Sequence, residues 1–266
     1  MGESKKYGMN TKAIHTQKRI ELPTGDVMPP IHLSTTYENT QPGEYEYFYG
    51  RSGNPTRELF ERTMASLEGV DNHEDMHSFA MASGMAAVTL IGELVKPGEN
   101  VVITKDVYGG TTRFFSQVMT KRGIEVNFCD LYDEEKLSNL INDKTKLVWF
   151  ESPSNPGINI FDIEKYAEIV HKSNAYLVAE GTFTSPFITR HLEHGVDIVF
   201  HSTTNYIEAS FRITKDGRFN RPASRNTTLD RLSIDTNKGR IGSLSFLSLT
   251  PWVTFLPEAV ILGFGN

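Results

Sequence analysis

Between residues 101 and 202 short apolar runs alternate with amphipathic segments, a pattern that predicts repeated βαβ units and a parallel sheet. The runs at 101–104, 125–129, 146–151, 175–180 and 197–201 read as strands. Helices are expected at 111–121, 134–141 and 163–172, and an apolar helical stretch at 86–95. Another helix opens at Asn54-Pro55, because Asn favours the N-cap and Pro the first helical position. It carries Leu59, Phe60, Met64 and Leu67 on one face. Residues 1–40, with Pro23, Pro29 and Pro30, read as an extended arm with little regular structure. There is no internal repeat and no low-complexity tract.

Composition narrows the class. With 266 residues, 38% hydrophobic and 23% charged, the chain reads as an ordinary soluble globular protein with one large domain. A net charge of -6 offers no electrostatic footprint for nucleic acid. No apolar run is long enough to span a membrane, and Met1 to Lys6 lacks the apolar core of a secretory signal. The single cysteine, Cys129, excludes an intrachain disulfide and a Cys-rich zinc site, and fits a reducing, cytoplasmic compartment.

In open parallel sheets ligands sit beyond the carboxyl ends of the strands. Polar and small residues gather at those ends: Tyr108-Gly109-Gly110, Ser154-Asn155-Pro156, Glu180-Gly181-Thr182 and Ser202-Thr203-Thr204. Ser83-Gly84-Met85 stands before the apolar stretch at 86–95, where small residues let main-chain N–H groups approach an anion. Each signal alone is also ordinary cap or turn chemistry. His191 and His194, with Glu193 between them, lack a third ligand and read as a solvated helix face rather than a metal site.

Taken in order, the motifs are specific. They are Tyr49-Gly-Arg51-Ser-Gly-Asn-Pro-Thr-Arg57, Ala82-Ser-Gly-Met-Ala-Ala87, Asp106-Val-Tyr-Gly-Gly-Thr111, Leu147-Val-Trp-Phe-Glu-Ser-Pro-Ser-Asn-Pro156, Thr182-Phe-Thr-Ser-Pro186 and the segment from His201 to Tyr206. On these the chain resembles the Cys/Met metabolism group of pyridoxal-phosphate enzymes, which includes cystathionine γ-lyase, γ-synthase and β-lyase and methionine γ-lyase. The resemblance implies an α/β fold of the aspartate-aminotransferase-like type, with a three-layer, mostly parallel sheet in its large domain. It divides the chain into an arm at 1–45, a cofactor-binding domain at 46–210 and a divergent tail at 211–266.

The resemblance also implies roles. Ser83, Gly84 and Met85 would hold the cofactor phosphate, with Ser202 and Thr204 adding hydroxyls. Tyr49 and Arg51 would reach the phosphate of a neighbouring subunit's site, making an oligomer the working unit. Tyr108 would stack on the pyridine ring, Asn155 would bond its 3′ oxygen, and Thr182 lies beside the ring-nitrogen partner. Arg113 stands where the family has a substrate-contacting arginine.

Two departures fall on the chemistry. Asn205 occupies the place of the lysine that carries the cofactor as a Schiff base, and an amide neither forms that bond nor shuttles protons as an amine does. Glu180 replaces the aspartate that pairs with the pyridine nitrogen, one methylene longer. Beyond Glu208 the family's next motif and its C-terminal domain are not recognisable. The apolar tail at 243–266, with Phe246, Trp252, Phe255 and Leu262, reads as packed on the main domain, as a sticky remnant, or as a partner-binding segment. Three functions stay open: an impaired enzyme acting on C–S bonds of cystathionine or a related sulfur amino acid, with pyridoxal 5′-phosphate held noncovalently; a non-catalytic partner of an active paralogue; or a decayed product without a stable fold.

Overall fold

Side chains alternate between the two faces of a strand, and in the middle of this chain both sets are apolar, so the sheet they build must be covered on both sides. In the computed structural model the residues described are 8–15, 29–39, 41, 43, 45–70, 76–130, 132–207, 212–213, 219–220 and 259–264. A seven-stranded sheet is formed by β1 (Met76–Met81), β2 (Asn100–Thr104), β3 (Glu125–Cys129), β4 (Thr145–Glu151), β5 (Tyr176–Glu180), β6 (Ile198–Ser202) and β9 (Ala259–Phe264). The two-residue strands β7 (Arg212–Ile213) and β8 (Phe219–Asn220) pair separately. The order is β1-β9-β6-β5-β4-β2-β3, and β6, β5, β4, β2 and β3 run parallel. This is the expected mostly parallel α/β sheet. The expected strands between 101 and 201 appear within one residue of their observed ends.

Alternation divides the core in two. Val102, Val148, Phe150, Leu177, Ala179 and Val199 face one side, packed with Met64 and Ala65 of α2 (Pro55–Leu67) and Tyr166 and Val170 of α6 (Ile163–Val170). Val101, Ile103, Leu147, Trp149, Val178 and Phe200 face the other, under α3 (Gly84–Gly92) and the helical run that starts as α4 (Gly109–Arg113). That run continues through a π-helical stretch, Phe114–Met119, into a 3₁₀ turn, Thr120–Arg122, so it covers the expected helix at 111–121. Trp149 is fully buried between Phe115 and Phe200, with ring centroids 5.4 and 5.2 Å away. Further helices are α5 (Glu134–Leu140), α7 (Ser185–Ile188) and α8 (Thr203–Tyr206).

Asn54 caps α2 as its sequence predicts: its Oδ1 accepts the N–H groups of Thr56 at 2.9 Å and Arg57 at 3.3 Å. The N-terminal arm differs from the expectation of little regular structure. Met9–His15 forms a helix, α1, and Lys12 Nζ donates to the Ser66 carbonyl near the end of α2 at 3.3 Å. A polar pattern with no Pro between 9 and 15 permits that turn, whereas residues 29–39 stay irregular around Pro29 and Pro30.

The tail at 211–266 contributes to the sheet itself. β9 lies antiparallel between β1 and β6, pairing Met76 with Phe264 and Ser202 with Ala259. Of the three readings of the tail, packing on the main domain describes residues 259–264. Phe246, Trp252 and Phe255 lie outside the described residues, as do Glu208 and the segment that follows it to 211. Among the described residues no helix is long and apolar enough to cross a membrane.

Replacing Trp149 removes a large ring from a fully enclosed position. Trp149→Ala is expected to destabilise the fold by about 3–5 kcal/mol, read as a lowered denaturation midpoint by urea titration with tryptophan-independent detection such as far-UV circular dichroism.

Candidate functional site

Strand ends converge where the topology reverses. After β1 the chain runs out to β2 and β3 and then returns through β4, β5 and β6, which opens a crevice at the carboxyl edge of the sheet. A cavity of about 490 Å³ lies there. Of the residues singled out by sequence, Ser83, Gly84, Met85, Tyr108, Asn155, Glu180, Thr182, Ser202, Thr204 and Asn205 all line it. Tyr49, Arg51 and Arg113 do not.

One end of the cavity is rich in donors. Ser83 caps α3, its hydroxyl accepting the Ala86 N–H at 3.1 Å, and the N–H groups of Gly84 and Met85 in the first turn have no intrahelical acceptor. A Cβ on Gly84 would come to 3.4 Å from Ser202 Cβ and fill the space between α3 and Ser202. Ser202 Oγ and Thr204 Oγ1 lie 3.2 Å apart beside that helix end, and the buried Thr182 Oγ1 accepts the Ser202 N–H at 2.9 Å.

Asn155 enters on a braced loop. Ile158 takes a left-handed φ of 55°, an unfavourable setting for a β-branched residue. Asp106 holds the loop around it: its Oδ2 accepts Ser154 Oγ at 3.1 Å and Asn159 Nδ2 at 2.9 Å. Gly157 is required there, because a Cβ would collide with the Asp106 carboxylate.

Glu180 closes the other end. Its Oε1 accepts Thr182 Oγ1 at 3.2 Å, while its Oε2 is buried without a hydrogen-bond donor. Burial raises its carboxyl above the ordinary range. Directly opposite it in register on β4 is Glu151, 1% exposed, whose Oε2 accepts the Tyr108 N–H at 2.8 Å. Burial and the adjoining Glu180 carboxyl push Glu151 up to about 11. Glu151 is a site residue that no motif marks, although the sequence carries a signal for it: two neighbouring parallel strands, 146–151 and 175–180, both end in Glu.

Residues 10–213 match the sequence pattern of the Cys/Met metabolism PLP-dependent enzymes. The chain belongs to that family. It is 45% identical over 206 residues to a cystathionine beta-lyase of Coxiella burnetii, covering 77% of this chain and 52% of that protein. It is 41% identical over 209 residues to a cystathionine gamma-lyase of Dictyostelium discoideum, covering 78% of this chain and 53% of that one. The crystal structure of metB from Corynebacterium glutamicum superposes with a TM-score of 0.75 at 30% identity, covering 98% of this chain and 56% of that chain. The chain thus spans about half the length of the curated relatives it matches.

Tyr49, Arg51 and Arg113, which lie outside the cavity, are exposed. Arg51 sits over the Tyr49 ring, its guanidinium carbon 5.1 Å from the centroid, so the pair is already associated on the surface. Arg113 ends α4, exposed and without an ion pair or hydrogen bond among the described residues.

The histidines correct an expectation. His194 is on the surface, 2.9 Å from Glu164, but His191 is fully buried and does not belong to a solvated face. Spacing alone does not reveal this, because the segment is a short 3₁₀ turn, His191–His194, whose first residue is buried against His201. Its ring packs 6.3 Å from that of His201, whose Nε2 lies 2.6 Å from Glu68 Oε1 with both side chains fully buried. Gly181 leaves room for the two rings, since a Cβ there would come to 3.0 Å from His191 Cε1 and collide with His201. No group of three or more metal-ligating side chains occurs among the described residues.

Burial lowers His191 from 6.5 to about 4; the Glu68 charge and the Ser152 main chain, the latter near but outside hydrogen-bond geometry, oppose this only in part. The native state therefore holds His191 neutral while the unfolded chain takes up a proton below 6.5. Stability from this group is present above 6.5 and is lost as pH falls toward about 4. The loss should approach roughly 1.4 kcal/mol per pH unit. His191→Phe should flatten that part of the stability profile, measured by denaturant titration at several pH values.

Proposed function

We propose that this chain binds pyridoxal 5′-phosphate noncovalently and is a catalytically impaired relative of enzymes that act on C–S bonds of cystathionine or similar sulfur amino acids. One observation carries the reading: the family positions for phosphate, ring and ring nitrogen surround one cavity, and Asn205 lines it where the family has its anchoring lysine. The cavity volume lies within the range usual for small-molecule and cofactor sites.

The residues fit the group. The free N–H groups of Gly84 and Met85 and the paired hydroxyls of Ser202 and Thr204 form a phosphate cradle at a helix N-terminus. Tyr108, at the start of α4, would lie against the ring, and Asn155 would bond its 3′ oxygen. Glu180 Oε2, buried and lacking a donor, suits a protonated ring nitrogen. Bound there, the cofactor supplies an electron sink for carbanion chemistry on an amino acid. Asn205 can donate and accept hydrogen bonds but supplies no amine for covalent capture and no general base, a group whose contribution is typically about 10²- to 10⁴-fold.

A second reading is favoured by the exposed Tyr49–Arg51 pair, which does not reach its own cavity. Such a pair suits a site on an adjoining subunit, either a second copy or a full-length paralogue. Co-purification with a full-length relative that is weakened by Arg51→Ala would support it, and equal recovery of both forms would count against it.

Adding pyridoxal 5′-phosphate to the purified chain should give a saturable absorbance change. Borohydride treatment followed by peptide mapping should find no cofactor fixed to the 203–207 segment, whereas Asn205→Lys should become labelled at that position. A specific, stoichiometric label on any lysine of the unaltered chain would overturn the noncovalent reading.

A further inference from the structure

We propose that Glu151 is a positioning residue, a neutral carboxylic acid that donates its proton to Glu180 while accepting the Tyr108 N–H. The pair then carries one negative charge, located on Glu180, and one shared proton. No bond other than this hydrogen bond is made or broken.

The backbone fixes the arrangement. Register pairs Trp149 with Val178, Phe150 with Ala179 and Glu151 with Glu180 on adjacent parallel strands, so the two carboxyls stand side by side at the sheet edge. Both are buried, and two adjacent carboxylates deprived of water cannot both ionise. The surroundings decide which keeps the proton. Burial disfavours the charged form of Glu180 too, but Glu180 accepts Thr182 Oγ1 and lies in the field of His201 on β6, and both oppose that rise. Glu151 is faced by Glu180 and by the main-chain N–H groups of Tyr108 and Asn155; burial first, and then the adjoining carboxyl, raise it strongly despite those N–H groups.

The consequence reaches both walls of the cavity. Tyr108 begins α4 without a side-chain cap of its own, so the Glu151 carboxyl anchors the main chain that presents the Tyr108 ring. By donating to Glu180, the same carboxyl orients the carboxylate at the cavity's end and leaves it an acceptor position for the edge of a ligand. Glu151 thereby sets the spacing between the residue that would lie on a planar ligand and the residue that would meet its edge. This last step rests on the cofactor reading above; the location of the proton does not.

Two readouts separate the parts. On the protein alone, infrared spectroscopy at neutral pH should show the carbonyl band of a buried protonated carboxylic acid, lost in Glu151→Gln. In pyridoxal 5′-phosphate titrations, Glu151→Ala should weaken binding by about tenfold or more, since it strands the Tyr108 N–H and removes the donor to Glu180. Glu151→Gln, a neutral group that can donate and accept in the same places, should recover most of that loss. Glu180→Gln, which removes the charge, should not bind better than Glu151→Ala. A band that persists in Glu151→Gln, or a Gln variant as weak as the Ala variant, would overturn the proposal. Where Glu151→Ala does not fold, the contrast between Glu151→Gln and Glu180→Gln carries the binding test. If the unaltered chain binds no pyridoxal phosphate, the cofactor reading fails while the infrared comparison still decides where the proton resides.

Discussion

Covering both faces of a parallel sheet is the constraint on which the rest of this structure depends. Val101, Ile103, Leu147, Trp149, Val178 and Phe200 occupy one side and Val102, Val148, Phe150, Leu177 and Val199 the other, so neither face can hold polar chemistry without loss of core. Polar groups are displaced to the strand ends. There each strand leaves the sheet through a short loop, and the shared direction of the strands brings those loops to one edge. Ser83, Tyr108, Asn155, Glu180 and Ser202 come from separate segments of the chain, yet meet around one cavity because β1, β2, β4, β5 and β6 point the same way and end at one edge.

That logic explains what was legible in the sequence. Strands buried on both faces are continuous apolar runs, and 101–104, 125–129, 146–151, 175–180 and 197–201 stand out against their polar flanks. β1 and β9 were harder to see. Met76–Met81 interleaves His77 and Ser78 with apolar residues, and Ala259–Phe264 lies far along the chain from the strands it pairs with. An antiparallel insertion between β1 and β6 leaves no periodic mark that points to its partners. α1 was missed because a short polar helix held by packing against α2 has little pattern of its own.

The site was legible to the extent that a residue's role depends on local chain geometry. A small residue at a helix start, as at Ser83-Gly84, or a polar residue just after an apolar run, as at Asn155, announces itself. Roles set by contacts across strands do not. His191 looked like a surface residue because its spacing from His194 carries no information about the packing against His201. Glu151 looked like the end of a strand, and only the register with Glu180 turns it into half of a buried pair. The arms that present Tyr49 and Arg51 have no visible destination within one chain.

The charge balance of the cavity ties these features together. No Lys or Arg is among the residues that line it, and the lysine position holds the uncharged Asn205. A phosphate group would therefore be met only by main-chain N–H groups, hydroxyls and the helix end, while the Glu151–Glu180 pair contributes a negative charge at the opposite end. Helix-end and hydroxyl donors fix geometry well but balance a dianion incompletely, since the dipole acts as roughly half a charge. Among the described residues, the exposed Arg51 of an adjoining chain would supply a balancing cation on the second reading above. If so, cofactor retention and subunit association are linked by mass action: each raises the apparent affinity of the other, and dilution weakens both together. In a site with the covalent lysine, that linkage is masked by the bond. On the proposed reading, with Asn205 in its place, noncovalent contacts alone would hold the ligand, and a neighbouring subunit would become part of its affinity rather than an addition to it.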